Sequence, residues 1–338
     1  MIRKIIYSIL VVAFGVFLYL SRGDIVNMAI AVHEGKARWI FVALLVELIY
    51  FLFYTQIFKR AFDLVGLSRT SAEITPLVFG AFSLNILAPA AGHAGTVLFA
   101  DDSIQRKESA SKAIIAVVLT FFAIYVALMA FLIIALVNLQ LIGELGSGEI
   151  SAAAVFLIVA WAPIIALWGG NFRPEALKKV LGLLYSIQQK FIELFRLKIK
   201  NPKNWVDTSA DEMIEAATSA GKNPKKSLYL VLWAVAAHFI NVVCILFIFL
   251  ALGLRVKYGV AISGYVFGEI ARVISPQPEG IGTVEVTMVL IFSLFGIPPL
   301  IATTAVVIFR AMNIWLPLGY GFLSLRKVKS FQHKSVSN

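Results

Sequence analysis

Apolar residues fall in long unbroken runs separated by short polar segments. Full-length runs span Ile5 to Leu20, Trp39 to Phe58, Ala113 to Val137, Ser151 to Trp168, Leu228 to Gly253 and Pro299 to Leu325. At 1.5 Å per residue, runs of 16 to 27 residues suit a hydrocarbon core about 30 Å thick. The pattern therefore predicts an all-α, polytopic integral membrane bundle. No small-x-small cleavage site follows the first run at Tyr19-Leu20-Ser21-Arg22, so it reads as a span rather than a signal peptide.

Two apolar stretches are too short for simple spans. Pro76 to Leu87 covers about 18 Å as helix and ends in Ala88-Pro89-Ala90-Ala91-Gly92-His93-Ala94-Gly95. Val260 to Ile274 breaks at Ser275-Pro276-Gln277-Pro278-Glu279-Gly280-Ile281-Gly282 and resumes from Thr283 to Phe295. Each reads as a broken hairpin, residues 76–101 and 260–295, that is re-entrant, dipping to mid-membrane and returning. Pro89, Pro276, Pro278 and Gly280 are the expected hinges. Pro89, Gly95, Thr96 and Val97 match Pro276, Gly282, Thr283 and Val284 at an offset of 187 residues. Paired Gly/Pro breaks of inverted orientation point to a transporter's midplane site. Two ordinary kinked spans, eight spans in all, are the alternative.

Charge sets the orientation. Of 30 basic residues, 23 lie on one side with both termini, and 5 on the other. Positive residues collect on the cytoplasmic side, so both termini are placed inside a plasma (cytoplasmic) membrane. The net charge of +11 then reflects topology and anionic headgroups, not nucleic acid. The chain divides into a first membrane half (1–168), a basic cytoplasmic segment (169–227), a second membrane half (228–325) and a cytoplasmic tail (326–338). Within the basic segment, Leu177, Val180, Leu181, Leu184, Ile187, Phe191, Leu194 and Phe195 fit an amphipathic surface helix. A solvated connector fits equally.

Composition confirms the class: 60% of residues are hydrophobic and 14% charged, against about 25% charged in soluble domains. The single cysteine, Cys244, offers neither a disulfide nor a Cys-based metal site. Ionisable groups inside apolar segments are informative, since each costs about 2.5–3.5 kcal/mol at a helix centre. They are Glu47, Glu269, Arg272, Glu279, Glu285 and Arg310. Glu269 and Arg272, three apart, share a helix face; Arg310, deep in its run, needs a carboxylate or a phosphate. Helices resuming near Gly95 and Gly282 would aim their N-termini at the membrane centre, as anion sites. With Arg272, Arg310 and His93 they would suit a lipid phosphate. Four carboxylates against two arginines require protonation, coupling to an ion, or a structural network. His238 and Asn241 share a face, and a histidine there more often bonds a carbonyl than a metal; Asn85 and Asn313 tie helices together. No hydrolase, nucleotide-binding or metal motif occurs, so no cofactor is expected.

The stretch Ser83-Leu84-Asn85-Ile86-Leu87-Ala88-Pro89 through Gly92 and Gly95, then Ser109-Ala110-Ser111-Lys112-Ala113, resembles the first motif of the lysylphosphatidylglycerol synthase transmembrane-region family. Pro278-Glu279-Gly280-Ile281-Gly282-Thr283-Val284-Glu285 is similar to its second. Leu294-Phe295-Gly296-Ile297-Pro298, Phe309-Arg310 and Trp315-Leu316-Pro317 follow in the family's order. The resemblance implies a flippase-like bundle that moves an anionic or polyprenyl-linked lipid between leaflets. Pro89, Gly95, Pro278, Glu279, Gly280, Gly282, Glu285 and Arg310 match motif positions. Only 13 residues follow Leu325, so lysyl transfer is not expected, and the protein is read as a transporter rather than an enzyme. Ala94, Thr96 and Val97 stand where many relatives place charged residues, so the resemblance does not carry over the same headgroup. The second expectation is a membrane scaffold, an accessory subunit docking a lipid-modifying enzyme through residues 169–227.

Overall fold

A computed structural model describes residues 37–87, 94–172, 221–275 and 277–324, with isolated residues between 175 and 218. The first expected span, the amphipathic helix of the basic segment, the tail, and the break residues Pro89, His93 and Pro276 lie outside the described residues. Helices α1 (Ala37–Leu64), α2 (Ser71–Leu87), α3 (Ala94–Gln105), α4 (Ala110–Leu141) and α5 (Ser147–Phe172) form the first part. The second contains α6 (Pro224–Ala251), α7 (Tyr258–Ile274), a 3-10 turn (Pro278–Gly280), α8 (Thr283–Leu294), α9 (Pro299–Arg310), a π-helical turn (Ala311–Trp315) and α10 (Leu316–Ser324). No strand occurs among the described residues.

Four helical stretches among the described residues are long and apolar enough to cross a membrane: α1, α4, α6 and Pro299–Ser324. The chain is an integral membrane protein. Local signals fix the ends. The Ser109 hydroxyl accepts from the Lys112 N–H at 3.1 Å to start α4, and Pro224 occupies the first turn of α6, where its missing N–H costs nothing. On α1, Phe41, Leu45, Leu48 and Leu52 form an exposed apolar stripe, as expected for a helix bathed in lipid.

Two buried clusters lie toward opposite ends of the long helices. One gathers Ile57 to Leu67, Ile74 to Ala81, Leu98 and Phe99, Ala113 to Ala127 and Leu230 to Ala237. The other gathers Ile40 and Ala43, Leu128 to Leu139, Val242 to Ala251, and the apolar faces of α7, α8 and α9. Helix α1 therefore runs antiparallel to α4 and α6.

The short helices pair as hairpins. A Cβ on Gly264 would fall 2.1 Å from the Phe292 ring, and one on Gly268 2.6 Å from Met288, which fixes α7 and α8 as antiparallel and tightly apposed. Likewise a Cβ on Gly95 would meet the Ala81 carbonyl at 2.9 Å, while Arg106 reaches Glu73 at 2.6 Å, so α2 and α3 are antiparallel. The α2–α3 hairpin packs at the first-cluster end and the α7–α8 hairpin at the other. The turn at 278–280 touches α2. Helix α10 closes the bundle: Ser83 Oγ donates to the Leu318 carbonyl at 3.1 Å, where Gly321 lies against Phe79.

Candidate functional site

Between the two hairpins lies a cavity of about 280 Å³. Asn85, Gly95 and Thr96 line it from the first hairpin, and Glu269, Arg272 and Glu279 from the second. Tyr50 and Tyr54 of α1, Tyr125 of α4, His238 of α6 and Asn313 of the π turn complete the polar surface. The cavity is small for a ligand pocket, of a size for a headgroup rather than acyl chains.

Arg272 is the charge at its centre. Its Nε and one Nη donate to Glu269 Oε2 at 3.0 and 2.7 Å. The other Nη faces Glu279 Oε2 at 3.6 Å, beyond a good hydrogen bond. One guanidinium thus serves two carboxylates, firmly with Glu269 and loosely with Glu279. The i, i+3 pairing anticipated for Glu269 and Arg272 is present, and both residues line the cavity.

Arg310 has another position. It is 5% exposed, and its Nε donates to Glu285 Oε1 and an Nη to the Glu279 carbonyl, both at 2.6 Å. Glu285 in turn accepts from the Gly282 N–H at 2.6 Å through Oε2. The second helix start expected to attract a phosphate is therefore capped by the protein's own carboxylate. Arg310, Glu285 and Gly282 stand behind the cavity wall rather than in it. Their arrangement satisfies two backbone groups of the irregular turn, the Glu279 carbonyl and the Gly282 N–H. The turn needs that help: Glu279 has φ +49° and Gly280 +63°, and a left-handed non-glycine residue is held only by surrounding structure.

The first hairpin has a matching device. Asn85 Oδ1 accepts from the Gly95 N–H at 2.8 Å, so this helix start is also capped from within. Sequence reasoning gave Asn85 a helix-tying role; what it ties is the two arms of one hairpin. Asn313 Nδ2 donates to Glu47 Oε1 at 2.9 Å. Glu47 is wholly buried, its Oε2 without a hydrogen-bond partner.

His238 bonds a backbone carbonyl. Its Nε2 lies 2.9 Å from the Ile124 carbonyl, which only accepts, so the proton sits on Nε2. Nδ1 then accepts from the Tyr265 hydroxyl at 2.7 Å, and that hydroxyl accepts from Asn241 Nδ2 at 3.2 Å. No group of three or more potential metal ligands occurs among the described residues.

The tyrosine wall carries no motif in the sequence. Nor does the cluster at the base of the first hairpin, where buried Arg69 bonds Asp102 at 3.0 Å and Ser103 at 2.6 Å and also contacts Glu108. Arg106 bonds Asp102 at 2.7 Å. The sequence signal available was the charge density of Asp101 to Glu108, five ionisable residues beside a hairpin that must be anchored.

An all-helical integral membrane protein with a charged cavity between opposed hairpin breaks is the class these observations define. A family model described as the lysylphosphatidylglycerol synthase TM region matches residues 5–321, and the chain belongs to that family. Among curated proteins and among solved structures nothing matches it.

Proposed function

We propose that the protein moves a phosphate-bearing lipid between leaflets, the headgroup passing through the cavity while the acyl chains stay in the bilayer. The observation that carries this is one half-buried guanidinium, Arg272, which lines a headgroup-sized space between the two hairpins and holds Glu279 only loosely, at 3.6 Å. Family membership and the apolar stripes support a lipid rather than a water-soluble solute. The two hairpins are re-entrant in this reading, entering from opposite faces of a cytoplasmic membrane with both chain termini inside. Twenty-three of 30 basic residues on one side support that orientation. Arg272 receives the phosphate, and the hairpins open alternately about Gly280 and the first break. Driving force comes from an ion gradient, the membrane potential or mass action.

The test is translocation of fluorescent anionic and zwitterionic phospholipids in proteoliposomes, comparing the wild type with Arg272→Gln. Movement that falls at least tenfold in the variant is expected. Wild-type rates in Arg272→Gln, or no movement of any lipid by well-folded protein, would overturn the proposal.

A further inference from the structure

The charge balance of the cavity leads beyond the choice of a phosphate-bearing lipid, though it rests on that reading. Glu269, Glu279 and Arg272 share one small space, two carboxylates around one guanidinium. Ionised, they leave one net negative charge before any ligand arrives. A phosphodiester lipid such as phosphatidylglycerol brings a second, in a half-enclosed space where like charges are screened less than in bulk water. The Arg272 edge that meets the phosphate is the one facing Glu279 at 3.6 Å, so ligand and carboxylate compete for it.

The other ionisable groups facing Glu269 and Glu279 do not relieve this. His238 of α6 has both ring nitrogens engaged. Tyr50 and Tyr54 of α1, Tyr125 of α4 and Tyr265 of α7 are uncharged walls. Glu47 of α1 is held by Asn313, and Arg310 at the end of α9 by Glu285 and the Glu279 carbonyl. Neither of the two lines the cavity.

We infer that an anionic phosphodiester lipid binds this cavity together with one proton, taken from water by the Glu269/Glu279 pair to form one neutral carboxyl. The bound state then carries the same net charge as the empty cavity. A zwitterionic phospholipid brings its own positive charge and binds with no proton. The same site would thus couple the movement of an anionic lipid, but not of a zwitterionic one, to a proton gradient.

The experiment is calorimetric titration of the full chain in detergent, near neutral pH, in buffers of different ionisation enthalpy. The probes are short-chain phosphatidylglycerol, short-chain phosphatidylcholine and glycerophosphoglycerol, the last being the phosphodiester headgroup without acyl chains. The dependence of binding heat on buffer counts the protons. For phosphatidylglycerol the count is expected near one, with affinity tightening about tenfold per unit of falling pH. For phosphatidylcholine it is expected near zero. Glu279→Gln keeps the Glu269–Arg272 pair, and it should bind phosphatidylglycerol with a count near zero and lose the pH dependence. Glycerophosphoglycerol binding with the same count assigns the coupling to the phosphodiester itself; binding only of the lipid form, again with one proton, assigns it to the membrane ligand. Phosphatidylglycerol binding with a count of zero, or a count unchanged in Glu279→Gln, overturns the coupling alone. Absence of binding by folded wild type overturns the lipid-phosphate reading beneath it.

Discussion

Two arginines lie in apolar surroundings, and their neighbours divide the work between them. Arg310 has a carboxylate and a backbone carbonyl at 2.6 Å and lies outside the cavity lining; Arg272 lines the cavity and holds Glu279 only loosely. Removing one partner of a buried pair costs about 3–5 kcal/mol, because the other charge is left uncompensated. Arg310→Ala should therefore lower the melting temperature in detergent markedly, and Arg310→Met with Glu285→Met should recover part of that loss. Arg272→Gln leaves Glu269 and Glu279, 14% and 16% exposed, without their cation, so it should also melt below wild type, and in addition lose translocation. Translocation lost in a folded Arg310→Met, Glu285→Met variant would contradict this division. From the sequence both arginines look alike, since depth in an apolar run is visible there and partners are not. The pairing of Glu269 with Arg272 was legible because it is local, three residues on one helix. The bond from Arg310 to Glu285 spans 25 residues and depends on how the hairpin folds back, which no spacing rule encodes.

At the scale of elements, each hairpin is anchored at its base and capped at its break. Glu73, in the first turn of α2 and outside the spanning helices, accepts from the Thr70 N–H at 3.0 Å and from Arg106 at 2.6 Å. These bonds hold its carboxyl down at about 2, against an ordinary value of 4.5. A depressed carboxyl contributes stability that is complete above its unfolded value and is lost as pH falls through the folded one. The base of the α2–α3 hairpin should loosen between pH 4.5 and about 2, seen as faster amide exchange at Ser71 to Thr75. In Glu73→Gln that acid-dependent change should vanish; exchange that still accelerates in the variant would place the titration elsewhere. At the breaks, Gly95→Ala would put a methyl 2.9 Å from the Ala81 carbonyl and disturb the Asn85 cap. A destabilisation of about 1–3 kcal/mol is expected, as for overpacking, readable as a lower melting temperature. The broken character of both hairpins was plain in the sequence, as short apolar runs interrupted by Pro and Gly. Their caps were not: a helix start followed by Gly looks like an open anion site until the long-range Asn85 and the local Glu285 are seen to fill it.

For the whole molecule, the arrangement of three long helices with a hairpin packed at each end accounts for the cavity. Helices α1, α4 and α6 pass through both buried clusters, and neither hairpin is long enough to fill the bundle, so a gap is left where the breaks meet. The irregular backbone of the second break is held by protein bonds, from Arg310 to the Glu279 carbonyl and from the Gly282 N–H to Glu285, and Glu279 borders the cavity. The placement in the bilayer has a direct consequence for accessibility. If both hairpins are re-entrant, the residues flanking each one return to the side they left. In a background where buried Cys244 is replaced by Ala, Thr70→Cys and Lys107→Cys, which flank the first hairpin, should react with an impermeant maleimide from one side only. Lys257→Cys and Leu300→Cys, which flank the second, should react only from the other. A pair that splits across the membrane would turn that hairpin into a kinked span. It would also reverse the direction of every helix after it, so that the helices sharing a cluster could no longer present the same ends to the same face.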